Sequence, residues 1–372
     1  MANTAGAVKQ EKLLHLEVLR IIAAFFVIFN HTGARGFFLF SQRPMGSGSF
    51  WLYLVLSVFC KLSVPLFFAI SGALLLPKEE SVRKIWKKRI PKAAASLLAL
   101  VLLHHGWEVV AYGGGFDLGE IAGALYAGFF YSTTRGYGHI WYMYAYLAFL
   151  MALPFLRAMV KQLENRHFFY LLVLAVVFLG ILPAGEYLFC GGNVTLYPQG
   201  KPGWLLESIV LYPCLGYFLE HRLERQELKK ALPWLWGANG LGIAATCWVV
   251  YVQGMRMGYL TENESQGFHE LFVLLNCLAV YVGAQAVVPR LTFPHWLRSA
   301  LCNLGTCTFG IYLLHMLILN SHTMGLVQSF LLGLGINAML ACLIQCTLVM
   351  GICWALTALL RRIPGIRYLL GG

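Results

Sequence analysis

LLHLEVLRIIAAFFVIFNH, residues 13–31, is the stretch on which the fold turns. It is about as long as the roughly 20 apolar residues a helix needs to cross some 30 Å of hydrocarbon. Leu52 to Pro77 and Ala93 to Tyr112 are similar runs, and others recur to the C-terminus. Backbone polar groups in lipid must pair internally, so such runs are read as helices. A transmembrane β-barrel would instead show short segments of alternating polarity. Composition agrees: 59% of the 372 residues are hydrophobic and 12% are charged, against about 25% charged in a soluble domain. The chain is therefore expected to be all-α, a polytopic membrane helical bundle.

Spans are expected near 13–33, 50–76, 92–112, 138–156, 168–187, 204–220, 232–253, 268–288, 302–321 and 327–360, about ten in all. With alternate loops assigned to opposite sides, one side collects Lys9, Lys12, the cluster Lys78, Arg83, Lys84, Lys87, Lys88, Arg89 and Lys92, and the bases near residues 157–166, 222–230, 290–298 and 361–367. The other side holds only Arg35, Arg43, Arg135, Lys201 and Arg256. Lysine and arginine gather on the cytoplasmic side, so both termini are expected there. The bases lie between spans, so the net charge of +12 does not point to nucleic acid. The polar segment Met1 to Lys12, followed by a run carrying Glu17 and Arg20, does not read as a cleavable signal peptide. Residues 1–372 are expected to form one membrane-embedded domain with no separate soluble domain. Most of the ten cysteines lie in apolar runs, where a thiol acts as a small hydrophobe. No pattern with zinc-ligand spacing is present, and no metal is expected.

Ionisable residues within a span are costly and mark candidate sites. Glu17, Arg20 and His31 share one face of the first span. At 100° per residue, the eleven steps from Arg20 to His31 come within about 20° of three full turns, over roughly 16 Å of axis. A neutral imidazole can take a proton from a hydroxyl, and a buried cation can hold a phosphate or a developing oxyanion. Thr308, His315 and His322, seven apart, read as a second polar wall of the same cavity or as a helix contact. His104 and Glu108 can meet across one turn near the outer end of the third span. Glu207 is a lone intramembrane acid. The bases from Arg83 to Lys92 beside the inner mouth carry the positive-inside signal, and they also suit the phosphates of a nucleotide-bearing donor. No glycine-rich phosphate loop accompanies them.

Five segments in order resemble the acyltransferase 3 family of integral membrane proteins: Glu17-Val-Leu-Arg20 with His31-Thr32, Ser63-Val-Pro-Leu-Phe-Phe-Ala-Ile-Ser71-Gly72, Lys87-Lys-Arg-Ile-Pro-Lys92, His139-Ile-Trp141-Tyr142, and Phe309-Gly-Ile-Tyr312-Leu-Leu-His315. The resemblance implies an O-acyltransferase of the bacterial plasma membrane. It would move an acyl group, usually acetyl, from cytoplasmic acetyl-CoA or another acyl-CoA to a carbohydrate hydroxyl on or crossing the membrane. It implies that His31 is catalytic, with Arg20 and Glu17 on its helix. Lys84, Lys88, Arg89 and Lys92 would bind the donor, and Ser71, Trp141, Tyr142, Tyr312 and His315 would line the cavity. His31 would serve as general base or as transient acyl carrier. Two positions depart from the family pattern: Glu17 stands where Asp is frequent, and Lys92 where Arg is common. The competing reading is a transporter or flippase that uses the same polar residues as a path without chemistry.

Overall fold

The structure is a computed structural model. It describes residues 2–129, 138–191, 202–260 and 271–370, with 2–13 and 112 described by backbone alone. Among these residues the protein is helices and turns, with no strand. In chain order the helices are α1 (Ala2–Asn30), α2 (Gly48–Cys60), α3 (Ser63–Leu75), α4 (Ile90–Tyr112), α5 (Leu118–Ala127), α6 (Trp141–Gln162), α7 (Asn165–Val176), α8 (Ser208–His221), α9 (Arg225–Met257), α10 (Val273–Val287), α11 (His295–Leu319), α12 (His322–Gly333), α13 (Ala338–Leu360) and α14 (Pro364–Leu369). Among the described residues, eight continuous helical segments are long and apolar enough to cross a membrane. They cover 48–75, 82–111, 141–162, 165–190, 225–257, 273–290, 295–319 and 338–360. The remaining two expected spans correspond to α1 and to 203–221, which breaks at Glu207 before the 14-residue α8. Phe155, Val110 and Trp234 stay exposed, as side chains facing lipid do.

Local sequence sets several helix ends. Ser47 accepts from the amide of Phe50 to start α2, and Ser321 accepts from Met324 to start α12. Asn337 accepts from Met339 and Leu340 to start α13. These caps satisfy amides that have no partner inside the helix. They also correct two expectations. The run 327–360 is not one span: it turns between Gly333 and Ala338. The row Thr308, His315, His322 is not one wall, because α11 ends at Leu319 and His322 begins the next helix, exposed. A third correction concerns the basic cluster. Residues 82–92 are helical rather than looped, and a π turn at Ile85–Arg89 leads directly into α4. Arg135 and Lys201 lie outside the described residues, as do the side chains of Lys9 and Lys12.

α1 packs against α2, α3, α10, α11 and α13. Two apolar clusters meet on it. Leu16, Leu19, Ala23 and Val27 belong to one, and Ala24, Ile28 and Phe29 to the other. The stripe of Glu17, Arg20 and His31 runs between these faces. α3 and α8 approach backbone to backbone, because a Cβ on Gly72 would run into the Pro213 backbone, and one on Gly216 would fall 2.5 Å from the Ala69 carbonyl carbon. Small residues that let helices close up in this way are the main adhesive of membrane bundles.

Candidate functional site

Arg20 Nη1 donates to Glu17 Oε1 at 2.6 Å, one turn away on α1. The other carboxylate oxygen of Glu17 is buried with no hydrogen-bond partner among the described residues. Gly305 on α11 makes this fit possible, since a Cβ there would lie 2.8 Å from Glu17 Cβ. At the far end of the stripe, His31 Nδ1 donates to the Val27 carbonyl at 2.8 Å, leaving Nε2 as the ring nitrogen with a free lone pair. Beside it, Asn30 Nδ2 donates to Ser63 Oγ at 2.9 Å and ties α1 to the start of α3.

The two ends of the stripe open on different cavities. A cavity of about 990 Å³ is lined by Arg20, Ser71, Lys78, Lys84, Lys87, Lys88, Arg89, Lys92, Tyr142 and Tyr312. A second, of about 830 Å³, is lined by His31, Asn30, Lys61, Ser63, Trp141, Glu186 and Glu207. They share no lining residue. Adjacent residues Trp141 and Tyr142 face opposite cavities, so the start of α6 belongs to the wall between them. The expected cavity residues therefore divide. Ser71, Tyr142 and Tyr312 are on the basic side and Trp141 is on the other. His315 lines neither and is fully buried behind His31.

Among the described residues lining the basic cavity, Glu80 is the one acid. Arg89 grips it with two hydrogen bonds of 2.8 and 2.9 Å, Arg157 adds one at 3.0 Å, and Lys84 lies 3.1 Å away. The guanidinium fork expected to face a donor thus already holds a carboxylate. The hydrogen bond from Arg89 is the main reason the Glu80 carboxyl is held well below the usual carboxylate range. Arg157 is itself buried and donates twice to the Leu75 carbonyl, at 3.1 and 2.9 Å. Glu80→Gln leaves this buried guanidinium without its counter-charge, a loss of about 3 kcal/mol or more by analogy with other broken buried pairs. A clear fall in melting temperature of the detergent-solubilised protein is expected. Because the folded carboxyl is depressed, its stabilisation is complete above about pH 4.3 and declines as pH falls further. The mutant should therefore lose less stability than the wild type between neutral and acid pH.

Sequence reasoning missed Arg157, Arg361 and Tyr368. The last two line the basic cavity from the C-terminal end of the chain. Lys92 Nζ sits 5.4 Å over the Tyr368 ring, and Ser96 Oγ donates to the Leu369 carbonyl at 2.8 Å, fastening α14 to α4. The His104 ring packs on His139, with centroids 4.7 Å apart. Among the described residues no group of three His, Cys, Asp or Glu side chains is arranged to hold a metal ion.

Fold and site together define a multi-pass, all-helical membrane protein with an imidazole and a cation at opposite ends of one half-buried stripe. A family profile described as an acyltransferase domain matches residues 13–358, nearly the whole chain. The chain belongs to the acyltransferase 3 family of membrane acyltransferases. No curated protein and no solved structure matches it.

Proposed function

We propose that the protein moves an acyl group, acetyl in the first instance, from cytoplasmic acyl-CoA to a hydroxyl of an envelope carbohydrate. On this reading it is a single-domain, ten-span protein of the bacterial plasma membrane with both termini in the cytoplasm. The observation that carries it is the opposition of the two cavities, basic at the Arg20 end and imidazole-bearing at the His31 end. Phosphates suit the lysine-rich cavity, where Lys84, Lys87, Lys88 and Lys92 act as point charges and Arg361 adds a guanidinium. The pantetheine arm extends along Ser71 toward Tyr142 and Tyr312, which bring the thioester to the wall. On this reading the wall opens beside Trp141 and Tyr142 during the reaction, so that the thioester carbonyl meets the acceptor hydroxyl held in the cavity of His31 and Trp141. His31 Nε2 takes the hydroxyl proton, the oxygen attacks the thioester carbonyl, the C–S bond breaks, and the proton passes to the CoA sulfur. Arg20, held by Glu17, puts a fixed positive charge on the donor side.

Protein in lipid nanodiscs is mixed with acetyl-labelled acetyl-CoA and an envelope-glycan fraction from the producing cells. Label should appear on glycan as alkali-labile ester. Glycan that stays unlabelled, or a polar solute carried across vesicles without CoA, would overturn the reading in favour of transport. Replacing Lys88 and Lys92 together by Ala should raise the donor KM about 100-fold, since each lost charge-assisted hydrogen bond is worth about 1.5 kcal/mol. An unchanged donor KM would remove the basic cavity from the donor site.

A further inference from the structure

His315 lies deep in α11, and its relation to His31 gives it a different part from that of a cavity wall. Its Nδ1 is 2.6 Å from the Tyr312 carbonyl, an acceptor only, so the proton of a neutral His315 sits on Nδ1 and Nε2 carries the lone pair. That Nε2 is 3.4 Å from His31 Nδ1. The Nδ1 of His31 also meets the Val27 carbonyl, again an acceptor only. Two acceptors thus converge on one ring nitrogen, and both require it to carry hydrogen. The His315 ring cannot easily swing away. Its centroid is 5.1 Å from that of His31, 5.5 Å from His139 and 5.9 Å from Tyr312. The Tyr312 hydroxyl in turn donates to the His139 carbonyl at 2.7 Å, fixing the turn before α6 against α11.

We infer that His315 is a positioning residue that holds the proton of His31 on Nδ1 and so presents Nε2 as the reactive nitrogen. This rests on the proposed role of His31. When Nε2 receives the hydroxyl proton, His31 carries two N–H groups, and the Nδ1–H remains shared by the Val27 carbonyl and His315 Nε2. His315 gains and loses no proton. The imidazolium is thereby supported without a second ion in the membrane interior, where a carboxylate in the same place would be costly. The titratable groups around His31 are His315 from α11, His139 before α6 and Lys61 between α2 and α3, with Glu186 and Glu207 in the lining of the same cavity.

Two substitutions separate positioning from packing. His315→Asn keeps a group near Nδ1 for the Tyr312 carbonyl but has nothing at Nε2. His315→Gln sets a terminal oxygen near where Nε2 stands. Imidazole nitrogen shifts of ¹⁵N-histidine-labelled protein in nanodiscs, with His31 assigned by its absence in His31→Gln, should show the Nδ1–H form of His31 in the wild type and in His315→Gln. His315→Asn should show a mixture. CoA thiol release from acetyl-CoA, with the envelope-glycan fraction as acceptor, should show kcat reduced about 10- to 100-fold in His315→Asn, by analogy with losing the partner that orients a metal-bound imidazole. Both KM values should be unchanged and the acidic limb of kcat should move to lower pH, while His315→Gln stays near wild type. Wild-type His31 protonated at Nε2, normal kcat in His315→Asn, or equal loss in both variants would overturn the inference. A wild type that transfers no acyl group defeats the proposed function instead, and the tautomer measurement then still tests His315.

Discussion

His31→Ala should reduce acyl transfer by about 10³-fold or more, because a positioned general base contributes about 10²- to 10⁴-fold and no neighbouring imidazole reaches the cavity in its place. His315, the nearest imidazole, has Nδ1 committed to the Tyr312 carbonyl and is sealed from both cavities. His139 is also buried and lines neither. Donor binding should survive the change, since His31 does not line the basic cavity. Folding should survive as well, because the lost ring leaves space continuous with an existing cavity rather than a sealed void. Equilibrium binding of labelled CoA and single-turnover transfer on the same sample separate the two effects. Transfer at the wild-type rate by the alanine variant would remove the imidazole from the chemistry. Loss of CoA binding in parallel with transfer would mean that the wall between the cavities had collapsed.

The second large effect concerns assembly. Gly216→Ala should lower stability by about 3 kcal/mol or more, at the upper end of what overpacking costs. The new methyl would lie 2.5 Å from the carbonyl carbon of Ala69 and 2.8 Å from its Cα, and backbone cannot rotate away as a side chain can. The reciprocal change, Gly72→Ala, presses on Pro213 from α3 and should behave alike. By contrast, Gly237→Ala on α9 meets nothing within 4 Å and is the matched control. Melting curves in detergent, with monodispersity after solubilisation, report the result. A stable, monodisperse Gly216→Ala protein would show that α3 and α8 do not pack as closely as the structure has them. This pair also carries function at one remove. Ser71 lines the basic cavity, so pushing α3 outward at Gly72 moves a wall of the donor site.

Much of the site was legible because helical periodicity is a local property. The stripe of Glu17, Arg20 and His31 follows from 3.6 residues per turn, whereas the opening of its two ends on separate cavities is visible only in the structure. The lysines of the basic cavity were visible as the densest cluster of positive charge. The failures have one character. Nothing in the local sequence marks Glu80, which Arg89 and Arg157 hold from nine and seventy-seven residues away. Arg361 and Tyr368 joined the basic cavity only because α14 folds back onto α4. The row of Thr308, His315 and His322 misled because a seven-residue spacing implies a shared face only while the helix continues, and Ser321 caps a new one.

Chain order and apolar run length were enough to establish a helical membrane bundle, because hydrocarbon forces each span to satisfy its own backbone hydrogen bonds. They were enough, too, for the polar stripe on the first helix. Which groups that stripe meets was set by helix packing across hundreds of residues: a carbonyl one turn back and an imidazole 284 positions on for His31, and a glycine on α11 for Glu17. Periodicity gives the direction of a side chain about its own axis, whereas its partners depend on how closely and at what angle other helices pack, and that is a property of the whole assembled bundle.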